Sequence, residues 1–133
     1  MDNLLDPSWQ DALRHSRYLA NLLATQPQLI AELVATWTAP LSAELMTAEM
    51  TPPAATDDAL KTQLRRLRQR TMAHIALRDL CGLAPLAEVV ESMTLLADFT
   101  TNFALDYYHR QLVATYGEPL DRNGKPQRLL IIG

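Results

Sequence analysis

The sequence has little of what builds disulfides, membrane spans and secretion signals. Its 133 residues include one cysteine, Cys81, so no disulfide can form within the chain. It has no run of about 18 apolar residues, and we therefore expect no transmembrane helix and no membrane association. The first residues lack a basic segment followed by an apolar one, so we expect no signal peptide. Together these absences favour a cytoplasmic protein.

Glycine and net positive charge are also scarce. The chain has four glycines, three of them at or after Gly117, and eight prolines that fall between apolar segments. This punctuation is typical of a helical protein. The formal net charge of −3 argues against a general nucleic-acid binder, so we expect no nucleic acid as partner. A composition of 48% hydrophobic and 20% charged residues is ordinary for one globular domain.

Apolar residues recur at the helical period and predict an all-α fold, a bundle of four or five helices over residues 1–117. The first helix is expected as one piece over residues 7–25, because a proline suits the first helical position. The second is expected over residues 27–37, and a short third near residues 41–46. Residues 50–56 contain two adjacent prolines and are expected to form a loop.

The stretch Leu60–Leu80 combines a basic half with an apolar half. Up to Arg70 the apolar residues form a narrow stripe and arginines occupy much of the remaining surface. From Met72 to Leu80 the helix is apolar almost all round, which is typical of a buried helix. We therefore expect its C-terminal half in the core, with Thr56 as the N-terminal cap and Gly82 as the C-terminal cap.

Four arginines of the basic half are candidate contacts with a partner or a neighbouring domain: Arg65, Arg66, Arg68 and Arg70. Arg68 and Arg70 flank the apolar stripe on opposite sides and are best placed to bridge to a neighbouring domain. Arg65 and Arg66 point away from the stripe. One interpretation is a solvated helix face whose arginines pair with acids on neighbouring helices. The other is a basic rim that faces phosphates or a partner protein, and the residues alone leave both open.

A long helix is predicted from Pro85 to Tyr116, ended by Gly117. At about 1.5 Å per residue it would span roughly 45–50 Å. That length fits the spine of a bundle, against which shorter helices pack.

The last residues have a different character. An Asn-Gly pair at Asn123 predicts a tight turn, and four aliphatic residues, Leu129–Ile132, predict a fully buried strand. A lone buried strand has no ladder partner, so we assign residues 118–133 to a linker and the first strand of a sheet whose other strands are absent from this chain. Gly133 follows that strand directly, where phosphate loops begin, and is a candidate cofactor-binding residue.

No catalytic residue and no metal ligand are predicted in this chain. The histidines His15, His74 and His109 lack the spacing of a zinc site. His74 lies beside the apolar stripe and is expected as a hydrogen-bonded histidine at the edge of the core. Two adjacent aspartates, Asp57 and Asp58, match the positive end of a helix dipole.

Two segments carry a resemblance to a known family: LRRLRQRTMAHIALRDLCGLAPLAEVVESMTLLAD and YGEPLDRNGKPQRLLIIG. An arginine-rich helix, an RDL element, a long helix, a YG-P turn and an apolar strand follow one another in this order. They resemble the N-terminal part of bacterial glutamine-synthetase adenylyltransferase, also called glutamate–ammonia-ligase adenylyltransferase. The resemblance covers Leu60–Gly133 and is weaker over Met1–Ala55.

The resemblance implies a parent enzyme with two nucleotidyltransferase domains. One transfers AMP from ATP to a tyrosine of glutamine synthetase, and the other removes it by phosphorolysis, releasing ADP. The PII signal protein and glutamine control the balance. In each domain a strand like Leu129–Ile132 leads into a glycine-rich loop and a pair of aspartates that bind Mg²⁺, which neutralises charge on the phosphoryl oxygens.

This chain stops at Gly133, before the rest of that loop and before the aspartates. We therefore predict that it is catalytically inactive alone. Its expected role is to support the deadenylylating domain and to contact glutamine synthetase or PII. The alternative is an independent helical protein–protein interaction module whose basic helix docks on an acidic protein surface.

Overall fold

The computed structural model describes residues 7–132 of the chain. Over these residues the fold is all-α, as predicted, but it has six helices where four or five are expected. The helices are α1 (Trp9–His15), α2 (Arg17–Thr25), α3 (Gln28–Val34), α4 (Ala43–Glu49), α5 (Asp57–Leu80) and α6 (Leu86–Tyr116). The chain forms two compact units, the first ending at Ala97 and the second beginning at Asp98. This division falls inside α6, and the domain boundary expected at Gly117 stays a prediction.

Helix α5 is the central element of the first unit. It contacts α1, α2, α3 and α4, and its Leu67, Ala73 and Leu77 are at most 1% exposed. The predicted burial of its C-terminal half is confirmed at Ala73 and Leu77. The expectation that the last helix is the spine of the bundle is wrong. Its Leu86 and Val90 remain 78% and 56% exposed, whereas the apolar face of α5 is covered by four short helices.

Two tryptophans meet in the core of the first unit. The rings of Trp9 and Trp37 are nearly perpendicular, at 88°, with centroids 5.7 Å apart. Edge-to-face packing of this kind places the positive edge of one ring on the negative face of the other. Leucines and alanines from α1, α2, α3 and α5 complete the same cluster: Ala12, Leu19, Leu22, Leu23, Leu29, Leu33, Ala73 and Leu77.

The expectation of one helix over residues 7–25 is wrong, because the chain bends at Ser16. Ser16 has extended backbone angles, φ −124° and ψ 98°. Its Oγ accepts a hydrogen bond from the N–H of Leu19 at 3.2 Å, while its own N–H donates to the carbonyl of Ala12 at 2.9 Å. One serine therefore caps α1 and α2 together, and both helices can turn an apolar face to α5.

Both predicted caps of α5 are confirmed. At its start, Thr56 Oγ1 accepts a hydrogen bond from the N–H of Ala59 at 3.2 Å. At its end, Gly82 has φ +72°, a left-handed conformation that glycine adopts at little cost. The N–H of Leu83 then donates back to the carbonyl of Arg78 at 2.8 Å, which closes the helix end in a Schellman turn.

The second unit consists of the C-terminal part of α6 and a tail shaped by a tight turn. Asp121 Oδ1 accepts a hydrogen bond from the N–H of Asn123 at 2.8 Å, which confirms the turn predicted at the Asn-Gly pair. An isolated bridge joins Leu120 to Pro126. Arg128 forms an ion pair with Asp106 and so fastens the tail to α6.

The strand expected at Leu129–Ile132 does not form. These four residues are between 50% and 86% exposed. Within residues 7–132 no strand is present to pair with them, and a segment without a ladder partner cannot build a sheet. Their predicted burial is therefore not met within this chain.

A core truncation tests the central place of α5. Leu77→Ala removes a fully buried side chain and should lower the free energy of unfolding by about 2–5 kcal/mol. The matched control is Leu86→Ala, where the leucine is 78% exposed and the change should stay within about 0.5 kcal/mol. Urea unfolding of the chain followed by circular dichroism measures both, and equal effects would contradict the assignment.

Candidate functional site

The four candidate arginines divide into two pairs on opposite flanks of α5. At 3.6 residues per turn, Arg65 and Arg68 share one flank, and Arg66 and Arg70 share the other. The two flanks face different surroundings. For each pair of arginines we can therefore ask separately whether it is paired with acids on neighbouring helices or is free to face a partner.

Arg70 is held between two other helices. It forms ion pairs with Glu49 on α4 and with Glu32 on α3, the latter at 3.5 Å between Nε and Oε2. Its side chain is 13% exposed, and those of Glu32 and Glu49 are 28% and 19% exposed. Because the charges are largely removed from water, their mutual pairing is needed to offset the cost of burial. Arg70 thus fixes where α3 and α4 meet α5.

Arg66 joins the same cluster from the solvent side. Its Nη2 donates to Glu32 Oε1 at 3.1 Å, and its side chain is 58% exposed. Glu32 is therefore shared by Arg66 and Arg70. On this flank of α5 the arginines are therefore paired with acids on neighbouring helices, which is the first of the two interpretations. Both guanidinium groups form their ion pairs within the first unit.

The other flank carries an exposed basic face, which we define as Lys61, Arg65 and Arg68. Arg65 and Arg68 form no ion pair or hydrogen bond with any residue among 7–132. Lys61 Nζ lies 3.9 Å from Asp58 Oδ1 in a solvent-exposed ion pair. Such a pair contributes little to stability. Burial raises the pKa of Tyr18 above its ordinary value, and the charge of nearby Arg68 opposes that rise. The basic face therefore borders α2 with its charges still available.

His74 is buried at the edge of the core, as expected. It is 3% exposed, and its Nε2 donates to the carbonyl of Ala39 at 3.0 Å. Burial lowers the pKa of His74 below its ordinary value of 6.5. The hydrogen bond to Ala39 opposes this fall in the pKa, and the nearby charges of Arg78 and Arg70 add to it. The imidazole is consequently neutral at pH 7 and fastens the segment after α3 to α5.

Arg78 is a site that the sequence reasoning missed. It is 4% exposed, its Nη1 donates to the carbonyl of Trp37 at 3.0 Å, and its Nε donates to Glu88 at 2.6 Å. The hydrogen bond from Arg78 is also the main cause that lowers the pKa of Glu88. The available signal was the position of an arginine inside an otherwise apolar helical stretch, since a buried charge has to be paired.

Polar side chains of α4 and α5 surround a small cleft. Glu49, Arg70, Thr71 and His74 line a cleft with about 10 Å³ of free volume, room for about one water molecule. Across residues 7–132 no group of three or more histidine, cysteine, aspartate or glutamate side chains could hold a metal ion. Gly133, the candidate cofactor-binding residue, lies outside the described residues.

None of the helices in the described part of the chain has the length and apolarity needed to cross a membrane.

Over residues 7–132, the fold and these sites define a helical protein with buried arginine pairs and an exposed basic face on α5. The chain belongs to the glutamate-ammonia ligase adenylyltransferase family, whose family model matches residues 8–133. The resemblance seen in the sequence is thereby confirmed, and it extends over the N-terminal helices where the sequence resemblance is weaker.

Three curated relatives illustrate the match. The protein of Aromatoleum aromaticum is 39% identical over 127 residues, or 92% of this chain. That of Thioalkalivibrio sulfidiphilus is 39% identical over 99% of the chain, and that of Nitrosomonas europaea is 40% identical over 90%. Each is named a bifunctional glutamine synthetase adenylyltransferase/adenylyl-removing enzyme. The chain spans 14% of the length of each relative, and no solved structure matches it.

The burial of His74 predicts a pH dependence of stability. Because the folded pKa lies below the unfolded value of 6.5, the unfolded chain binds the proton more readily. Stability from this residue is complete above about pH 7.5 and falls as the pH drops through about 6.5. His74→Gln can keep an N–H donor for Ala39 without titrating, so its free energy of unfolding should fall less on acidification.

Urea unfolding at about pH 7.5 and about pH 5.5 measures this difference. His15→Gln changes an exposed histidine and is the matched control, which should follow the unmodified chain. If His74→Gln and the unmodified chain lose the same stability on acidification, His74 is not the titrating group.

Proposed function

We propose that this chain is the N-terminal helical part of a bifunctional enzyme that adenylylates and deadenylylates glutamine synthetase, and so controls nitrogen assimilation in the bacterial cytoplasm. The observation that carries the proposal is the family match over residues 8–133, almost the whole chain. The same chain spans 14% of relatives named for both activities. A segment of that size fits a supporting domain of such an enzyme.

The proposed role of the chain is to support the deadenylylating nucleotidyltransferase domain. Leu129–Ile132 support this role, since four adjacent aliphatic residues lie exposed without a ladder partner. In the proposal they pair with the sheet of that domain, and Gly133 begins its glycine-rich loop. In the proposal, ATP and Mg²⁺ bind in the remainder of the enzyme.

The basic face is the proposed contact with a protein partner, glutamine synthetase or the PII signal protein. Arg65 and Arg68 support this assignment because their charges are unpaired within the described part of the chain. An acidic partner surface gains their full attraction without first breaking an existing pair. Arg66 and Arg70 would have to leave Glu32 and Glu49 before contacting a partner.

The exposed basic face also favours a second candidate, an independent interaction module that docks on an acidic protein. The two candidates differ in what the face requires. A supporting domain acts only when joined to the catalytic domains, whereas an independent module binds its partner as the isolated chain.

The proposed inactivity of the isolated chain can be tested directly. Incubated with adenylylated glutamine synthetase, phosphate and Mg²⁺, the chain should release no ADP, because no group of histidine, cysteine, aspartate or glutamate side chains among its described residues could hold the metal ion. Chromatography of the nucleotides is the measurement, and the full-length enzyme is the positive control. ADP release by the isolated chain would contradict the proposal.

Charge reversal tests the basic face in the full-length enzyme. Arg65→Glu combined with Arg68→Glu should lower kcat/KM for deadenylylation on the order of tenfold, about 1.4 kcal/mol. This is the scale of two exposed charge contacts worth up to about 1 kcal/mol each. The loss should appear mainly in KM and shrink at high salt, because screening weakens exposed charges.

The matched control reverses two other exposed charges, Arg110→Glu with Arg122→Glu, which lie outside the basic face. Both double variants should unfold at the same urea concentration as the unmodified isolated chain. If the two double variants have equal kcat/KM for deadenylylation, Arg65 and Arg68 belong to a solvated helix face and not to a partner contact.

A further inference from the structure

Helix α6 begins with an apolar surface that nothing in the first unit covers. Leu86, Val90 and Met93 are spaced four and three residues apart and so share one helix face, at 78%, 56% and 40% exposure. Leu83, in the turn just before them, is 44% exposed. We call these four residues the α6 stripe.

The α6 stripe is held on a fixed helix. Another face of the same helix is buried, with Ser92 at 7% and Leu96 at 6% exposure. Glu88 receives the hydrogen bond of buried Arg78 at 2.6 Å. The orientation of this helical segment is thus set by its inner face, and the stripe is presented without a conformational change.

Single exposed leucines are ordinary on protein surfaces, but an ordered row of large apolar side chains marks an interface. The surface that covers the stripe should accordingly be apolar at its centre.

We propose that the α6 stripe is covered by another part of the same polypeptide, so that it is the contact between this helical domain and the rest of the enzyme. The inference rests on the proposed function. Relatives are about seven times longer than the aligned chain, which is 14% of their length, so most of the protein lies outside this structure. A surface within the same polypeptide is present at high effective concentration and outcompetes a separate partner of equal affinity.

This assignment separates two surfaces of the domain. The interdomain contact is apolar and lies on α6, while the basic face of α5 stays open to a protein partner. An exposed apolar row that is covered within the polypeptide also avoids the association that such a row causes in a free protein.

Met93 provides a native probe of this contact. Methionine oxidation by peroxide follows exposure of the thioether. In the isolated chain Met93 is 40% exposed, whereas Met46 and Met50 are 1% and 2% exposed and serve as internal references. In the full-length enzyme, sulfoxide formation at Met93 should be several-fold slower than in the isolated chain, as measured by peptide mass spectrometry.

Val90→Asp provides the matching variant. Val90 is exposed in the isolated chain, so the variant should unfold there at an unchanged urea concentration. In the full-length enzyme it places a carboxylate in the contact and should restore fast oxidation of Met93. The control Thr94→Asp changes an exposed residue beside the stripe and should leave Met93 protected.

Three results would overturn the proposal. The first is equal oxidation of Met93 in both proteins. The second is protection in the full-length enzyme that grows with protein concentration, which would identify a second copy, and the third is protection that requires added glutamine synthetase. Transfer of AMP to glutamine synthetase is assayed on the same preparation. An active enzyme with exposed Met93 refutes the α6 contact alone, whereas an inactive enzyme with protected Met93 refutes the proposed function alone.

Discussion

The four short helices depend on α5 for their existence. Helices α1, α3 and α4 have seven residues each and α2 has nine, whereas isolated helices shorter than about 12–15 residues are marginal in water. Each becomes stable by burying an apolar face on a neighbour, and the 24-residue α5 is the neighbour that all four contact. This constraint explains why Leu67, Ala73 and Leu77 are so completely enclosed.

Burial of this kind also encloses charges, and these charges are paired across helices. Arg70 would be costly between α3 and α4 without Glu32 and Glu49. Arg78, similarly enclosed, fixes the Trp37 carbonyl and Glu88 at once. Such pairs add less to stability than apolar contacts would, but each requires one arrangement of the helices. Arg65 and Arg68 form no such pair within residues 7–132.

Large apolar side chains remain exposed among the described residues. The α6 stripe and Leu129–Ile132 both expose large aliphatic side chains, in a chain that covers 14% of its relatives' length. The two surfaces differ in chemistry. The stripe offers side chains from a fixed helix, whereas the tail offers backbone groups that need a strand.

The sequence by itself determined the family, the long helices α5 and α6, and the caps at Thr56 and Gly82. These depend on residues close together in the chain, so local patterns predict them. Only the tertiary structure decided which arginines form ion pairs, because their partners are distant in the sequence. Arg66 pairs with Glu32, 34 residues away, and Arg70 pairs with Glu49, 21 residues away. The tertiary structure also decided that α5 is the helix against which α1, α2, α3 and α4 pack. Helical period shows which face of a helix is apolar, but it cannot show which neighbour covers that face, because coverage depends on contacts between distant segments.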